Sequence, residues 1–252
     1  MNKLIITCGT SLFTNISRDK SLYAFSNYTT DNIPADGKEK IDRYYAAAKS
    51  ALCGVKTSAE LCGMSAELNT IASYYGDFTG VCDELFFLHT DTYLGKLAAG
   101  LYAEFLGDRF GLKCYAVRVP GLRTDSFENF NRGLASLYSD EFLKLYKNPS
   151  GKVIFVLSGG FKSWSGYMQS IGMLYADEIL YQFESGGHLI SIPKIPVKAD
   201  LADNAVMALK LILSGADITD EVKNSLPAAA YTERDGKILL TNMGKLLLDI
   251  SK

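Results

Sequence analysis

Histidine is scarce in this chain, with two in 252 residues. His89 and His188 lie far apart, and no His/Cys/carboxylate cluster has zinc-like spacing, so no metal and no other cofactor is expected. Paired cysteines are also missing. Cys8, Cys53, Cys62, Cys82 and Cys114 are odd in number and form no C-x-x-C, so they read as reduced packing thiols of a cytoplasmic protein. No apolar run approaches the length of a membrane span, and Leu4-Ile5-Ile6 is too short for a signal peptide, which leaves no membrane partner. Positive charge is not in excess. A net charge of −2 argues against a broad basic surface, so DNA is not an expected partner, while a small anion in a local pocket stays open. Neither G-x-x-x-x-G-K-[ST] nor G-x-G-x-x-G occurs.

What is there is ordinary globular composition, 48% apolar and 21% charged, with length for one substantial core, or for one domain plus a small appendage. The organising stretch is Val153-Ile154-Phe155-Val156-Leu157-Ser158-Gly159-Gly160-Phe161-Lys162. Its run of β-branched and aromatic residues reads as a strand buried on both faces, as at the centre of a parallel sheet. Gly159 and Gly160 then give a turn without Cβ atoms, Lys162 a positive charge, and Ser163 to Tyr175 a helix-compatible run. Strand, glycine turn and helix N-terminus let backbone N–H groups approach a phosphate. The same residues also read as plain turn chemistry followed by a solvated lysine.

A second such junction opens the chain. Lys3 to Thr7 reads as a buried strand, followed by Cys8-Gly9-Thr10-Ser11-Leu12-Phe13-Thr14-Asn15, where Gly9 permits a tight turn. The Thr10 and Ser11 hydroxyls suit an anion beyond the strand end, or equally the N-cap of a helix. Glu84 to Thr90 is a second strong strand, and Asp91-Thr92 at its end reads as a helix cap or as another polar strand end facing the same crevice. Lys113 to Val119 is a third. Apolar residues at helical spacing predict helices over 38–52, over 58–75 with a break at Gly63, over 93–105, and over 126–146 with Phe127, Phe130, Leu134, Leu137 and Leu145 buried. Glu178 to Phe183 and His188 to Ile192 read as strands joined by a hairpin at Gly186-Gly187. This alternation predicts an α/β fold, a doubly wound, mostly parallel sheet with right-handed crossovers and an antiparallel edge. Beyond Pro193 and Pro196, helices over 201–213, 218–226 and 242–250 flank a turn and short strand at 235–241. That appendage reads as structural or dimerising; a winged-helix DNA reader would need a basic face that it lacks.

The strand-end motifs together resemble the paired signature of CRISPR-associated Rossmann-fold (CARF) proteins, found in ring nucleases and type III CRISPR effectors. The resemblance extends to Ser65-Ala66-Glu67-Leu68-Asn69, Thr90-Asp91-Thr92 with Gly95, Phe130 with Gly133-Leu134, and Ile192-Pro193. It implies a Rossmann-like ligand-binding domain over 1–198 and a helical, winged-helix-like segment over 199–252. It further implies a homodimer holding a cyclic oligoadenylate across its two-fold axis, cyclic tetraadenylate (cA4) before cyclic hexaadenylate (cA6). A ring of identical nucleotides can share that axis, each protomer meeting half of it. The expected ligand-binding residues are Gly9, Thr10, Leu12, Asn15, Asp91, Thr92, Ser158, Gly159, Gly160 and Phe161. Lys162 and Ser11 are expected to be catalytic, stabilising phosphoryl charge and positioning the ribose while the 2′-OH attacks without a metal. Effector relatives add a ribonuclease domain with an Arg-x4–6-His motif. Here no arginine precedes either histidine at that distance and little length remains, so the expectation is a stand-alone ring nuclease. Two alternatives stand beside it: a sensor that binds the ring without cutting and signals through the appendage to DNA or a protein, and an unrelated mononucleotide-binding α/β protein. Trp164, Tyr167 and Phe161 are read as packing residues before adenine-stacking ones.

Overall fold

Leu4, Ile5 and Ile6 are fully buried in β1 (Lys3–Cys8), and every residue of β4 (Val153–Val156) is buried as well. Strands that bury successive residues must be covered on both faces. The computed structural model describes residues 1–183, 187–196 and 201–251. Among the described residues, six strands form one sheet in the order β3-β2-β1-β4-β5-β6, with β2 over Glu84–His89, β3 over Lys113–Arg118, β5 over Glu178–Gln182 and β6 over Leu189–Ser191. The first five run parallel and β6 is antiparallel to β5. The fold is therefore the expected doubly wound α/β sheet with an antiparallel edge.

Helices cover both faces. On one, α1 (Ser11–Ser17), α2 (Ala35–Cys53), α3 (Ala66–Tyr75) and α4 (Tyr93–Phe110) bury Leu12, Ile41, Leu68 and Leu94 with Leu4, Ile6, Phe87, Val156 and Leu180 of the strands. On the other, α7 (Lys162–Tyr175) approaches so closely at Gly172 that a Cβ there would lie 2.9 Å from Ile179 and 3.2 Å from Phe155. Phe155 and Val156 alternate between the two faces because successive strand residues point oppositely. The 58–75 helix is interrupted as expected: a 3-10 turn over Ser58–Leu61 ends before Gly63, which takes φ +89°, and Ser65 then caps α3 through Leu68 N.

One expectation is corrected. Instead of a single helix over 126–146 there are two, α5 (Phe127–Ser136) and α6 (Asp140–Leu145), and Phe127 is 80% exposed rather than buried. Successive i→i−3 bonds from Leu137, Tyr138 and Ser139 tighten the chain and end α5, while Phe127 sits in its first turn facing solvent. Of the expected hairpin pair, Gly186 lies outside the described residues and Gly187 has φ +69°.

The chain separates into two compact units, one of residues 1–133 and 146–195, the other of residues 134–145 and 196–252. The expected boundary at 198 lies outside the described residues. The second unit has its own core, in which Ala208, Leu209 and Ile212 of α8 (Asp203–Leu213) meet Leu226, Ala230 and Leu248. It also holds a short helix α9 (Asp220–Asn224), a hairpin of β7 (Tyr231–Arg234) and β8 (Lys237–Leu240), and α10 (Asn242–Ile250). Asp235 and Gly236 both take positive φ, as a two-residue hairpin turn requires. β7, too polar to read as a strand, was not expected.

Candidate functional site

From β1 the chain winds outward through β2 and β3, then returns to the other side of β1 for β4 and β5. Adjacent connections therefore leave the carboxyl ends of β1 and β4 on opposite faces of the sheet. That reversal opens a crevice, the usual ligand position in such sheets. The strands are level there, since Cys8 pairs with His89 and His89 with Arg118.

A cavity of about 360 Å³ occupies this point. Cys8 to Ser11 line it after β1, Thr90 and Thr92 after β2, Thr124 after β3, and Ser158 to Phe161 after β4, with Tyr23, Ser26, Asn27 and Ala66 completing the wall. Among the described residues the lining holds no lysine or arginine; its polarity comes from hydroxyls and backbone. Four helices begin on it: Thr10 precedes α1, Ala66 opens α3, Thr92 precedes α4 and Phe161 precedes α7. Each N-terminus carries partial positive charge and N–H groups without intrahelical partners. Ser65 and Thr92 cap α3 and α4 with their side chains, whereas neither Thr10 nor Phe161 caps α1 or α7. The uncapped donors are thus on the β1 and β4 loops, and the helix-cap reading of Thr10 does not account for its hydroxyl.

Those loops meet because they lack side chains at the contact. A Cβ on Gly9 would lie 2.7 Å from Gly160 N, and one on Gly159 would lie 2.0 Å from Glu67 Oε1 and 2.4 Å from Thr7 O. Gly160 takes φ +84° and rests against the Trp164 ring. The buried Thr7 hydroxyl donates to Gly159 O at 2.7 Å, and the Ser158 hydroxyl accepts from Gln182 N at 2.8 Å and lies 2.7 Å from Thr70 Oγ1. Beneath both loops lies the carboxylate of Glu67, fully buried. Gly9 N–H donates to its Oε1 at 2.5 Å, and its Oε2 accepts from Tyr102 Oη at 3.1 Å and from Ser11 Oγ at 3.4 Å. Burial, and then the charge on Glu67, push the Cys8 thiol and the Tyr102 phenol well above their ordinary pKa values. Cys8 is a packing thiol and not a nucleophile.

Of the expected site residues, Gly9, Thr10, Ser11, Thr92, Ser158, Gly159, Gly160 and Phe161 line this one cavity. Four others do not. Leu12 is fully buried in the core; Asn15 donates through Nδ2 to Met64 O; Asp91 accepts from Gly121 N at 2.8 Å and faces Arg118 at 3.6 Å. Lys162 is exposed, one residue beyond Phe161, as the first residue of α7. Trp164 is fully buried, so it packs. His89 is buried, with Nδ1–H donating to Thr90 O at 2.8 Å, and does not line the cavity. Among the described residues no group of three or more His, Cys, Asp or Glu gathers as metal ligands would, and no helix is long and apolar enough to cross a membrane. Sequence reasoning missed Glu67 and Thr7 as parts of the site. Thr7 carries a readable signal, a hydroxyl at the end of an apolar strand; Glu67 stands in the Ser65-Ala66-Glu67-Leu68-Asn69 stretch of the family resemblance, inside a helix expected over 58–75, with no site role assigned to it.

Residues 62–195, just over half of the chain, match the family model described as CRISPR-associated protein (Cas_APE2256). No curated protein matches the chain.

Proposed function

The chain belongs to the CRISPR-associated Cas_APE2256 family, and on that premise we propose that it binds a cyclic oligoadenylate as a homodimer and cleaves it, ending type III CRISPR signalling. The observation that carries this reading is the switch-point cavity on which two uncapped helix N-termini open. Phosphates suit such termini, which offer N–H donors and positive potential. RNA supplies its own nucleophile, so the protein's task is to hold a 2′-oxygen in line with the phosphorus and to stabilise the charge that develops on the phosphoryl oxygens. Ser11, in the cavity wall, positions the ribose. Lys162, one residue past the lining residue Phe161 at the start of α7, supplies the cation that the wall itself lacks. The products are linear oligoadenylates with a 2′,3′-cyclic phosphate and a 5′-OH, and the reaction needs no metal.

The test is incubation of the purified protein with labelled cyclic tetraadenylate and cyclic hexaadenylate in EDTA. Linear product is expected, with Lys162→Ala weakening both binding and cleavage and Ser11→Ala reducing turnover more than affinity. Failure to bind either ring would end the proposal. A second reading, a sensor that binds without cutting, is favoured by the separate core of the second unit and by the absence of Lys162, one residue past Phe161, from the cavity lining itself. Intact, retained ring in the same assay would select it.

A further inference from the structure

A fully buried carboxylate beneath a site for phosphates is electrostatically out of place. If Glu67 served only to hold the Gly9 loop, a neutral acceptor would do so without repelling the ligand. Its position suggests another use. Oε2 faces the Ser11 hydroxyl, the residue assigned to the ribose, and the hydroxyl proton directed at Glu67 leaves the Ser11 lone pairs toward the cavity that Ser11 lines. A 2′-OH placed there donates to Ser11, and Ser11 donates to Glu67.

We propose that Glu67 takes up, through Ser11, the proton that the ribose 2′-OH releases as it attacks; the inference rests on the ring-cleavage reading above. In the step, the 2′-oxygen forms its bond to phosphorus while the bond from phosphorus to the 5′-oxygen breaks and that electron pair stays on the 5′-oxygen. The 2′ proton passes to Ser11 Oγ as the Ser11 proton passes to Glu67, and water supplies a proton to the 5′-oxygen. Glu67 returns its proton to solvent after product leaves, so no proton is gained or lost overall. The 3.4 Å Ser11–Glu67 separation is long for a transfer, as such contacts are before substrate tightens them. Because Glu67 acts through Ser11, it is a positioning residue. It also answers the absence of histidine from the cavity wall.

The inference separates affinity from turnover. Glu67→Gln keeps the shape, with its amide oxygen available to Gly9 N–H and its NH2 group available to the Tyr102 and Ser11 oxygens, but it takes up no proton. Retention of labelled cyclic tetraadenylate should be unchanged or tighter, because a negative charge has gone. Single-turnover cleavage should fall on the order of 100-fold or more, the usual range for a lost acid–base group. Adding Glu67→Gln to Ser11→Ala should cost little beyond Ser11→Ala alone, because the relay to Glu67 is already cut. Cleavage at the parent rate, or loss of binding and cleavage in equal measure, overturns the proposal while leaving the ring-nuclease reading in place; a parent that neither binds nor cuts the ring overturns both. Should Glu67→Gln not fold, the parent's cleavage rate in mixtures of light and heavy water decides. A relay through Ser11 predicts a curved dependence on deuterium fraction that becomes linear in Ser11→Ala, and a linear dependence in the parent rejects it.

Discussion

The crevice has two halves built on different principles. At the ends of β1 and β4, Gly9, Gly159 and Gly160 let the backbones of two loops approach each other and a buried carboxylate directly, with the Thr7 hydroxyl donating to Gly159 O beneath them. At the ends of β2 and β3, side chains hold the structure: Thr90 to Thr92, Thr92 to Gly95 N, Asp91 to Gly121 N and to Arg118, and Thr124 to Asn27. Polar groups on the second half are largely occupied by scaffolding. On the first half, by contrast, two helix N-termini remain uncapped. The difference teaches where a ligand finds free donors, and it identifies the polar residues Asp91 and Thr92 as structural first.

The sharpest way to break this contrast is to add one methyl group to the β1/β4 half. In Gly159→Ala the Cβ would fall 2.4 Å from a backbone oxygen and 2.0 Å from Glu67 Oε1, and the backbone cannot move aside cheaply. Overpacking of this kind costs about 1–3 kcal/mol, a drop of roughly 2–12 °C in unfolding temperature at about 2–4 °C per kcal/mol. Gly166→Ala, in the helix α7 that follows this loop, is the control: a Cβ there meets nothing within 4 Å, and replacing a helical glycine stabilises by about 0.5–1 kcal/mol. Equal unfolding temperatures for the two variants, measured by calorimetry, would remove the steric account of this half.

A second comparison sets one polar group from each half against the other. Glu67→Ala removes the acceptor of the part-buried Gly9 N–H and one of the two side-chain partners of the buried Tyr102 hydroxyl, which keeps Ser65, and an unmet buried polar group costs about 1–3 kcal/mol. Thr92→Ala removes one N-cap, a loss of about 1 kcal/mol. In urea unfolding the glutamate variant should therefore be the less stable of the two. The reverse order would mean that the carboxylate is only loosely engaged.

The legible part of this site was local. Apolar runs ending in glycine or hydroxyl residues identify β1 and β4, and the strand–helix alternation gives their parallel arrangement, because both signals are written in consecutive residues. Glu67 was not legible as a floor residue: it stands 58 positions from its Gly9 partner, and its value depends on α3 being laid under two loops. Asn15 and Leu12 failed for a related reason. Within a short helix after a strand only one side faces the crevice, and Leu12 turns into the core while Asn15 reaches Met64 O. Phe127 obeyed a helical period whose apolar face begins one turn later.

The smallest effect, and the one that probes the β2/β3 half alone, is the pH dependence of His89. Burial lowers its pKa from the ordinary 6.5; the hydrogen bond to Thr90 O and the charge on Asp91 oppose that shift, while Arg118 and Lys96 add to it. A group harder to protonate in the folded state binds fewer protons there than in the unfolded chain. Its contribution is therefore full above pH 6.5 and is lost progressively as the pH falls below that value toward the folded pKa. One proton sets an upper limit of about 1.4 kcal/mol per pH unit on the slope. Asp19, whose pKa is lowered from 3.8 first by its Ser21 and Tyr44 hydrogen bonds, titrates below this window and leaves it clear. The urea midpoint should fall between pH 7.5 and 5.5 in the parent and fall less in His89→Gln. Parallel pH profiles for the two proteins would show that the β2 end is open enough to water for His89 to charge freely, and the scaffold of side-chain bonds on that half would then be looser than its geometry implies.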